Sequence, residues 1–218
     1  DGIVEITRCS WPILEGHPVN LSREKKGLLP ANSIWLWGQG KALKLPVFKE
    51  IFGLSGGVIS AVDLLKGIGI YAGLRTIDVE GATGYLDTNY SGKAKEALEA
   101  LGELDFMFVH VEAPDEASHE GSISKKIQAI EAFDEKVVGK VLEGMEKFED
   151  YRIMVAADHF TPISLKTHTS DPTLFAWASK GELAVGKAGV RFTERFALES
   201  GVHYRKGHDL LPVFLGQS

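Results

Sequence analysis

The stretch Asp105-Phe-Met-Phe-Val-His-Val-Glu-Ala-Pro-Asp-Glu-Ala-Ser-His-Glu-Gly121 runs an apolar segment straight into a loop of acids and imidazoles. Phe106 to Val109 is continuously apolar, the pattern of a strand buried on both faces. Such strands build parallel sheets covered by helices, and ligand sites in those sheets lie beyond the carboxyl ends of the strands. Working outward, Ser33 to Trp37, Gly57 to Ser60, Thr76 to Glu80, Asp105 to Glu112 and Tyr151 to Ala157 read as strands. Ala61 to Ala72 and Gly92 to Leu101 read as helices between them. Ile123, Ile127, Ile130, Val137, Val141 and Met145 put apolar groups on one face of a longer helix, which is expected to cover the sheet. The alternation predicts an α/β fold with a mostly parallel sheet flanked by helices. The opening segment, residues 1–26, is broken by Pro12 and Pro18 and is expected to be a connector or part of a neighbouring subdomain. Residues 27–218 are expected to form the main unit.

Composition narrows the partners. The 218 residues are 44% hydrophobic and 25% charged, as in ordinary globular domains and unlike disordered chains. The net charge of −6 is spread along the chain, with no basic stripe for a phosphate backbone, so nucleic acid is not expected. Cys9 is the single cysteine, which rules out an intrachain disulfide and fits a reducing compartment, the cytoplasm by default. The most apolar long stretch, Gly56 to Leu74, is interrupted by Asp63 and Lys66, so no membrane span is expected.

Two constellations carry chemistry. Asp115 and His119 are four residues apart, and near-helical backbone would put both on one side, an oxygen and a nitrogen donor for one divalent ion. Helix capping or a solvated acidic loop explains the same spacing. The second follows Arg152-Ile-Met-Val-Ala-Ala157, which delivers Asp158-His159, with Thr167-His168-Thr169 returning from the next loop. Adjacent Asp and His at a strand end can turn toward a common pocket once extended geometry lapses. The bland alternative makes Asp158 a cap, His159 a core imidazole and His168 a surface residue. Oxygen and imidazole donors together suit Mn²⁺, Zn²⁺, Co²⁺ or Mg²⁺.

Five segments together resemble one family: Pro30-Ala-Asn-Ser-Ile-Trp-Leu-Trp-Gly38, Ile59-Ser-Ala-Val-Asp-Leu-Leu-Lys-Gly67, Gly81-Ala-Thr-Gly-Tyr-Leu-Asp-Thr-Asn-Tyr90, Glu112-Ala-Pro-Asp-Glu-Ala-Ser-His-Glu-Gly121 and Thr167-His-Thr-Ser-Asp-Pro172. The chain resembles the cofactor-independent phosphoglycerate mutases, in particular the archaeal-type branch within the alkaline phosphatase superfamily. The resemblance implies an alkaline phosphatase-like core and two divalent ions, manganese foremost. Asp115, His119 and His168 would hold the first, and Asp158 and His159 would contribute to the second. It implies interconversion of 3-phosphoglycerate and 2-phosphoglycerate through a phosphoenzyme, with no need for 2,3-bisphosphoglycerate. It assigns Lys66 to the phosphoryl charge, whereas Lys at the end of an apolar helix otherwise snorkels to solvent. Ser118 departs from the family's usual Gly before the ligand His. The family's first strand with a further metal-binding Asp, its Ser nucleophile and most of its cap have no counterpart here, and no Met opens the chain. The expectation is a fragment whose missing N-terminal segment is its partner; the nucleophile stays unknown, since Ser60, Ser118 and Ser164 do not match it. A metal-dependent phosphohydrolase or phosphonate-processing enzyme, and a noncatalytic metal-binding module, are the competing readings.

The remaining signals are weaker. Asp87 and Asn89 sit in a Gly-bounded loop and serve either turn or substrate. Gly38-Gln39-Gly40 lacks Walker spacing and reads as a turn. Trp35 and Trp37 are expected to pack in or near a strand, and His110, His203 and His208 to be structural or solvent-exposed.

Overall fold

The computed structural model describes residues 2–38, 40–186 and 191–216, which form two compact units, Asp1–Leu43 and Lys44–Ser218. Gln39, inside the Gly38 to Gly40 turn reading, lies outside the described residues. The first unit opens with α1 (Gly2–Glu15), which contains Pro12, and α2 (Pro18–Lys25), with Pro18 in its first turn where a missing N–H goes unnoticed. The break between units falls after Leu43 and not after Lys26. The reason is Asn20, 4% exposed, whose amide donates to the Leu14 and Ala31 carbonyls and accepts from Ala31 N–H. Ile34 N–H adds a bond to Ser10 Oγ at 3.3 Å. These contacts tie residues 31–34 to the two helices. Ser33 to Trp37 is not a strand, and Trp35 and Trp37 are exposed, contrary to the packed reading, because the segment pairs with no strand among the described residues.

The second unit starts with α3 (Phe48–Phe52), β1 (Gly56–Ile59), α4 (Asp63–Tyr71), β2 (Arg75–Thr76), α5 (Tyr90–Ala100) and β3 (Phe106–Val109). The strands form a parallel sheet in the order β2-β1-β3, with Val58 opposite Thr76 on one side and Phe108 on the other. All of β1 is buried. Then come α6 (Ala113–Glu120), α7 (Ile123–Phe133), a π-helical turn (Asp134–Val138) and α8 (Gly139–Met145). The chain closes with β4 (Arg152–Ala156), β5 (Phe175–Ser179), α9 (Lys180–Val185), α10 (Glu194–Glu199) and α11 (Leu210–Phe214). The class is therefore α/β with a parallel sheet flanked by helices. Two strands depart from the expectation: β2 stops at Thr76 where Thr76 to Glu80 was expected, and β4 pairs antiparallel with β5, Met154 opposite Trp177, both carrying aromatic or β-branched residues suited to a ladder. No described helix is long and apolar enough to cross a membrane.

The long helix buries only the second half of the expected face, Val137, Val141 and Met145. Ile123, Ile127 and Ile130 are exposed, while Ala129, Val137 and Met145 are buried and Phe133 and Val141 pack beside Ala129 and Val137. These five recur every fourth residue. On an ideal helix that spacing drifts about 40° per step, and the wider π turn takes back part of the drift. The apolar core joins this seam to Tyr90 of α5 and Ala113 of α6, which fixes the start of α6 beside the end of β3.

Gly69 lets α4 lie against β1: a β-carbon there would stand 2.5 Å from Val58 Cγ1. Helix propensity alone favours alanine over glycine by about 1 kcal/mol. Gly69→Ala is nevertheless expected to destabilise the chain by about 2 kcal/mol through overpacking, read as a lowered midpoint in thermal or urea unfolding.

Candidate metal centre

Pro114 near the start of α6 is preorganised for a helix, Asp115 in the first turn meets the positive end of the helix dipole, and Gly121 (φ 78°) stops the helix in the left-handed region. The helix brings Asp115 Oδ2 within 3.2 Å of His119 Nε2. The i, i+4 spacing along one helix accounts for this pair alone. The rest of the arrangement is not local. His168 Nε2 stands 3.5 Å from Asp115 Oδ1 and 3.0 Å from His119 Nε2. One donor atom from each of Asp115, His119 and His168 lies within 4.8 Å of the others, as a shared ion requires.

Beyond the end of β4, His159 stacks on His168 with centroids 3.7 Å apart, and its Nδ1 lies 4.0 Å from Asp115 Oδ1. Asp158 Oδ2 is 3.4 Å from His159 Nε2, and the carboxylate is largely exposed. The five residues expected from sequence therefore meet at one place, Asp115, His119 and His168 on one side, Asp158 on the open side, and His159 between.

The hydrogen bonds decide which ring atoms are available. His119 Nδ1 is 2.9 Å from the Lys166 carbonyl, which can only accept, so Nδ1 carries a proton, and in the neutral ring Nε2 presents its lone pair toward Asp115 and His168. This is the tautomer a metal ligand needs. Lys166 has φ 54°, the single non-glycine in the left-handed region among the described residues, and its ammonium reaches the Glu120 carbonyl at the end of α6 at 3.3 Å. Thr161 donates to Asp115 Oδ1, and His159 Nδ1 lies 3.2 Å from the same hydroxyl. Sequence reading did not single out Lys166 or Thr161, and the only available signal was that they lie between His159 and His168, each two residues from one of them.

Other positions divide as follows. Lys66 is in another contact, with Asp78 Oδ1 at 2.7 Å. Asp87 accepts from Thr83 Oγ1 at 2.8 Å and lines a cavity of about 220 Å³ with Glu116 and Lys125, while Asn89 caps α5 through Gly92 N–H at 2.9 Å. Ser118 fits in place of Gly by donating to the Pro114 carbonyl at 2.7 Å. His203 is exposed, and His208 is exposed beside Asp209. Glu112 and Glu116 form a second acidic group with Asp115. Burial, followed by the Glu116 and Asp115 charges, raises the Glu112 carboxyl above its ordinary pKa, and Lys93 partly offsets this. His110 is held below the usual imidazole range, chiefly by burial.

Residues 9–202 match the family described as the Metalloenzyme superfamily. The 2,3-bisphosphoglycerate-independent phosphoglycerate mutase of Methanothrix thermoacetophila is 51% identical over 214 residues, 98% of this chain and 54% of the relative. That of Methanosarcina acetivorans is 60% identical over 176 residues, 80% of this chain and 44% of the relative. A Pyrococcus horikoshii protein of known structure superposes with a TM-score of 0.84 at 30% identity, covering 100% of this chain and 58% of that one. The chain spans about half the length of the curated relatives it matches.

A β-carbon at Gly121 would run into the Lys166 stem, and its φ of 78° disfavours any side chain. Gly121→Ala is expected to cost about 2 kcal/mol in unfolding experiments. It should also weaken divalent-ion binding in calorimetric titration, because the strain reaches the carbonyl that orients His119.

Proposed function

From the premise that this chain belongs to the Metalloenzyme superfamily, we propose that it is the metal-binding part of a phosphoglycerate mutase that interconverts 3-phosphoglycerate and 2-phosphoglycerate without 2,3-bisphosphoglycerate. The observation that carries the reading is the meeting of Asp115, His119 and His168 donor atoms, with His119 Nε2 freed by the Lys166 carbonyl. The donor set fits a divalent ion of borderline hardness: manganese foremost, with zinc, cobalt or magnesium as alternatives. In this reading Asp115, His119 and His168 hold one ion, and Asp158 and His159 form part of a second site. Bound ions supply positive charge for the transferring phosphoryl oxygens and make a hydroxyl nucleophile available at neutral pH.

The chain's own residues do the orienting. Thr161 holds the Asp115 carboxylate, and the ring stack keeps His159 and His168 in fixed relation. Asp158 and His159 give two donors, fewer than a closed site needs. The reading therefore has the remaining ligands, and the serine that becomes phosphorylated, supplied by an upstream segment of the same protein. It places the enzyme in the cytoplasm, in glycolytic flux.

The test is a mutase assay with 3-phosphoglycerate and a Mn²⁺ titration, run on the chain with and without the upstream segment. The chain alone is expected to bind one ion more tightly than a second and to turn over negligibly. Adding the segment should restore both, and a chelator should abolish turnover. Robust mutase activity by the chain alone would overturn the assignment of the nucleophile, and hydrolysis of a generic phosphate ester or phosphonate by the assembled protein would favour a phosphohydrolase. No turnover on any of these substrates, with ions bound, would leave a metal-binding module.

Lys66 is proposed to balance phosphoryl charge once substrate competes with Asp78 for its ammonium. Lys66→Met in the assembled enzyme should lower kcat at least about tenfold, equivalent to about 1.4 kcal/mol, with a smaller change in unfolding free energy. Equal losses of both would return Lys66 to a structural role.

A further inference from the structure

Thr161 is 4% exposed, and its hydroxyl lies between the two halves of the metal centre. It donates to Asp115 Oδ1, and His159 Nδ1 stands 3.2 Å from the same hydroxyl oxygen. The reading above gives Asp115 to one ion and His159 to the other, so a single oxygen touches a donor group of each. Two further bonds hold the backbone that carries it. Lys126 of α7 donates from Nζ to the Thr161 carbonyl at 3.0 Å, and Thr169 N–H donates to the Phe160 carbonyl at 3.0 Å, tying the turn to the segment that carries His168.

The direction of the two hydroxyl contacts follows from a count of protons. A hydroxyl has one, and an ionised carboxylate can only accept, so that proton goes to Asp115. The hydroxyl then offers His159 only lone pairs, and the 3.2 Å contact is a hydrogen bond when Nδ1–H donates. In the neutral ring this leaves the Nε2 lone pair for the side of Asp158, whose Oδ2 is 3.4 Å away. Thr161 thereby does for His159 what the Lys166 carbonyl does for His119. Partners of this kind orient metal ligands, and removing one typically weakens metal binding by about ten- to a hundredfold.

We propose that Thr161 is a positioning residue that couples the two ion sites, its hydroxyl fixing the Asp115 carboxylate on one side and the His159 ring on the other, with Lys126 holding the backbone that carries it. The proposal rests on the two-ion reading above.

The test titrates Zn²⁺ into the wild-type chain, Thr161→Val and Thr161→Ser by calorimetry, and records long-range ¹H–¹⁵N spectra of the same chains labelled with ¹⁵N-histidine in mildly alkaline buffer. His159→Gln identifies the His159 signals. The expected result is an Nδ1–H tautomer at His159 in the wild-type chain. Thr161→Val should bind the first ion about tenfold more weakly, and its His159 ring should lose the fixed tautomer. Thr161→Ser keeps the hydroxyl and should restore both. An Nε2–H tautomer at His159 in the wild-type chain overturns the proposal, and because it is read on the wild type it does so even where Thr161→Val fails to fold. Wild-type affinity in Thr161→Val, a weakened ion with the His159 tautomer unchanged, or an equal loss in Thr161→Ser also overturns it while the metal-centre reading stands. Zn²⁺ that leaves the His119, His159 and His168 signals of the wild-type chain unmoved sinks both.

Discussion

Two imidazole nitrogens 3.0 Å apart, His119 Nε2 and His168 Nε2, cannot both present lone pairs to each other without something positive between them. The Lys166 carbonyl removes the freedom of His119 to turn its N–H inward, so the compensation must come from His168 or from a third party. The Asp115 carboxylate beside both rings would favour a cation as that third party. A divalent ion, as in the proposed function, would satisfy the carboxylate and both rings at once. The rest of the second unit can be understood as the framework that makes this crowding possible: a helix seam that pins α6 beside β3, and a loop beyond β4 that delivers two histidines from the other side.

The framework depends on close approach between sheet and helix. β1 is buried along its length, and its glycines lie under side chains of its neighbours: a β-carbon at Gly56 would stand 2.7 Å from Leu74 Cδ2 and one at Gly57 2.6 Å from Met107 Sδ. Small residues there let the three strands and their covering helices draw together at full packing density. The strand ends then come to a common edge, where Ser60 and His110 meet across the sheet. Polar chemistry at that edge is thus set by the steric demands of the layer beneath it.

Legibility in the sequence followed the range of the interactions. The run Phe106 to Val109 and the spacing of Asp115 and His119 are local, and both strand and helix form where the apolar run, Pro114 and Gly121 place them. The pairing of His168 with them was reachable only by resemblance, since nothing within Thr167-His-Thr169 states what lies across 49 residues of chain. Readings failed where a partner decides the outcome. Trp35 and Trp37 have the composition of a strand but no neighbour to ladder with among the described residues, and β4 finds β5 in place of the parallel sheet. Ile123, Ile127 and Ile130 share a helical face that the chain leaves exposed, while Ala129 and Phe133 take up the seam that Val137, Val141 and Met145 continue. The boundary after Leu43 turns on one buried amide, Asn20, that periodicity does not register.

The bond from His119 to the Lys166 carbonyl joins residues 47 positions apart. Closing a loop of that length removes chain entropy that grows only with the logarithm of its length, so nearly all of the loss is already incurred when this one contact forms. An ion linking His119 to His168, as proposed, would add almost no further closure, since the second tie lies two residues beyond the first. The left-handed turn at Lys166 would thereby work as a latch that gathers the donors ahead of the ion. Affinity at such a centre would reflect the strength of the bonds to the ion more than the cost of folding a loop around it.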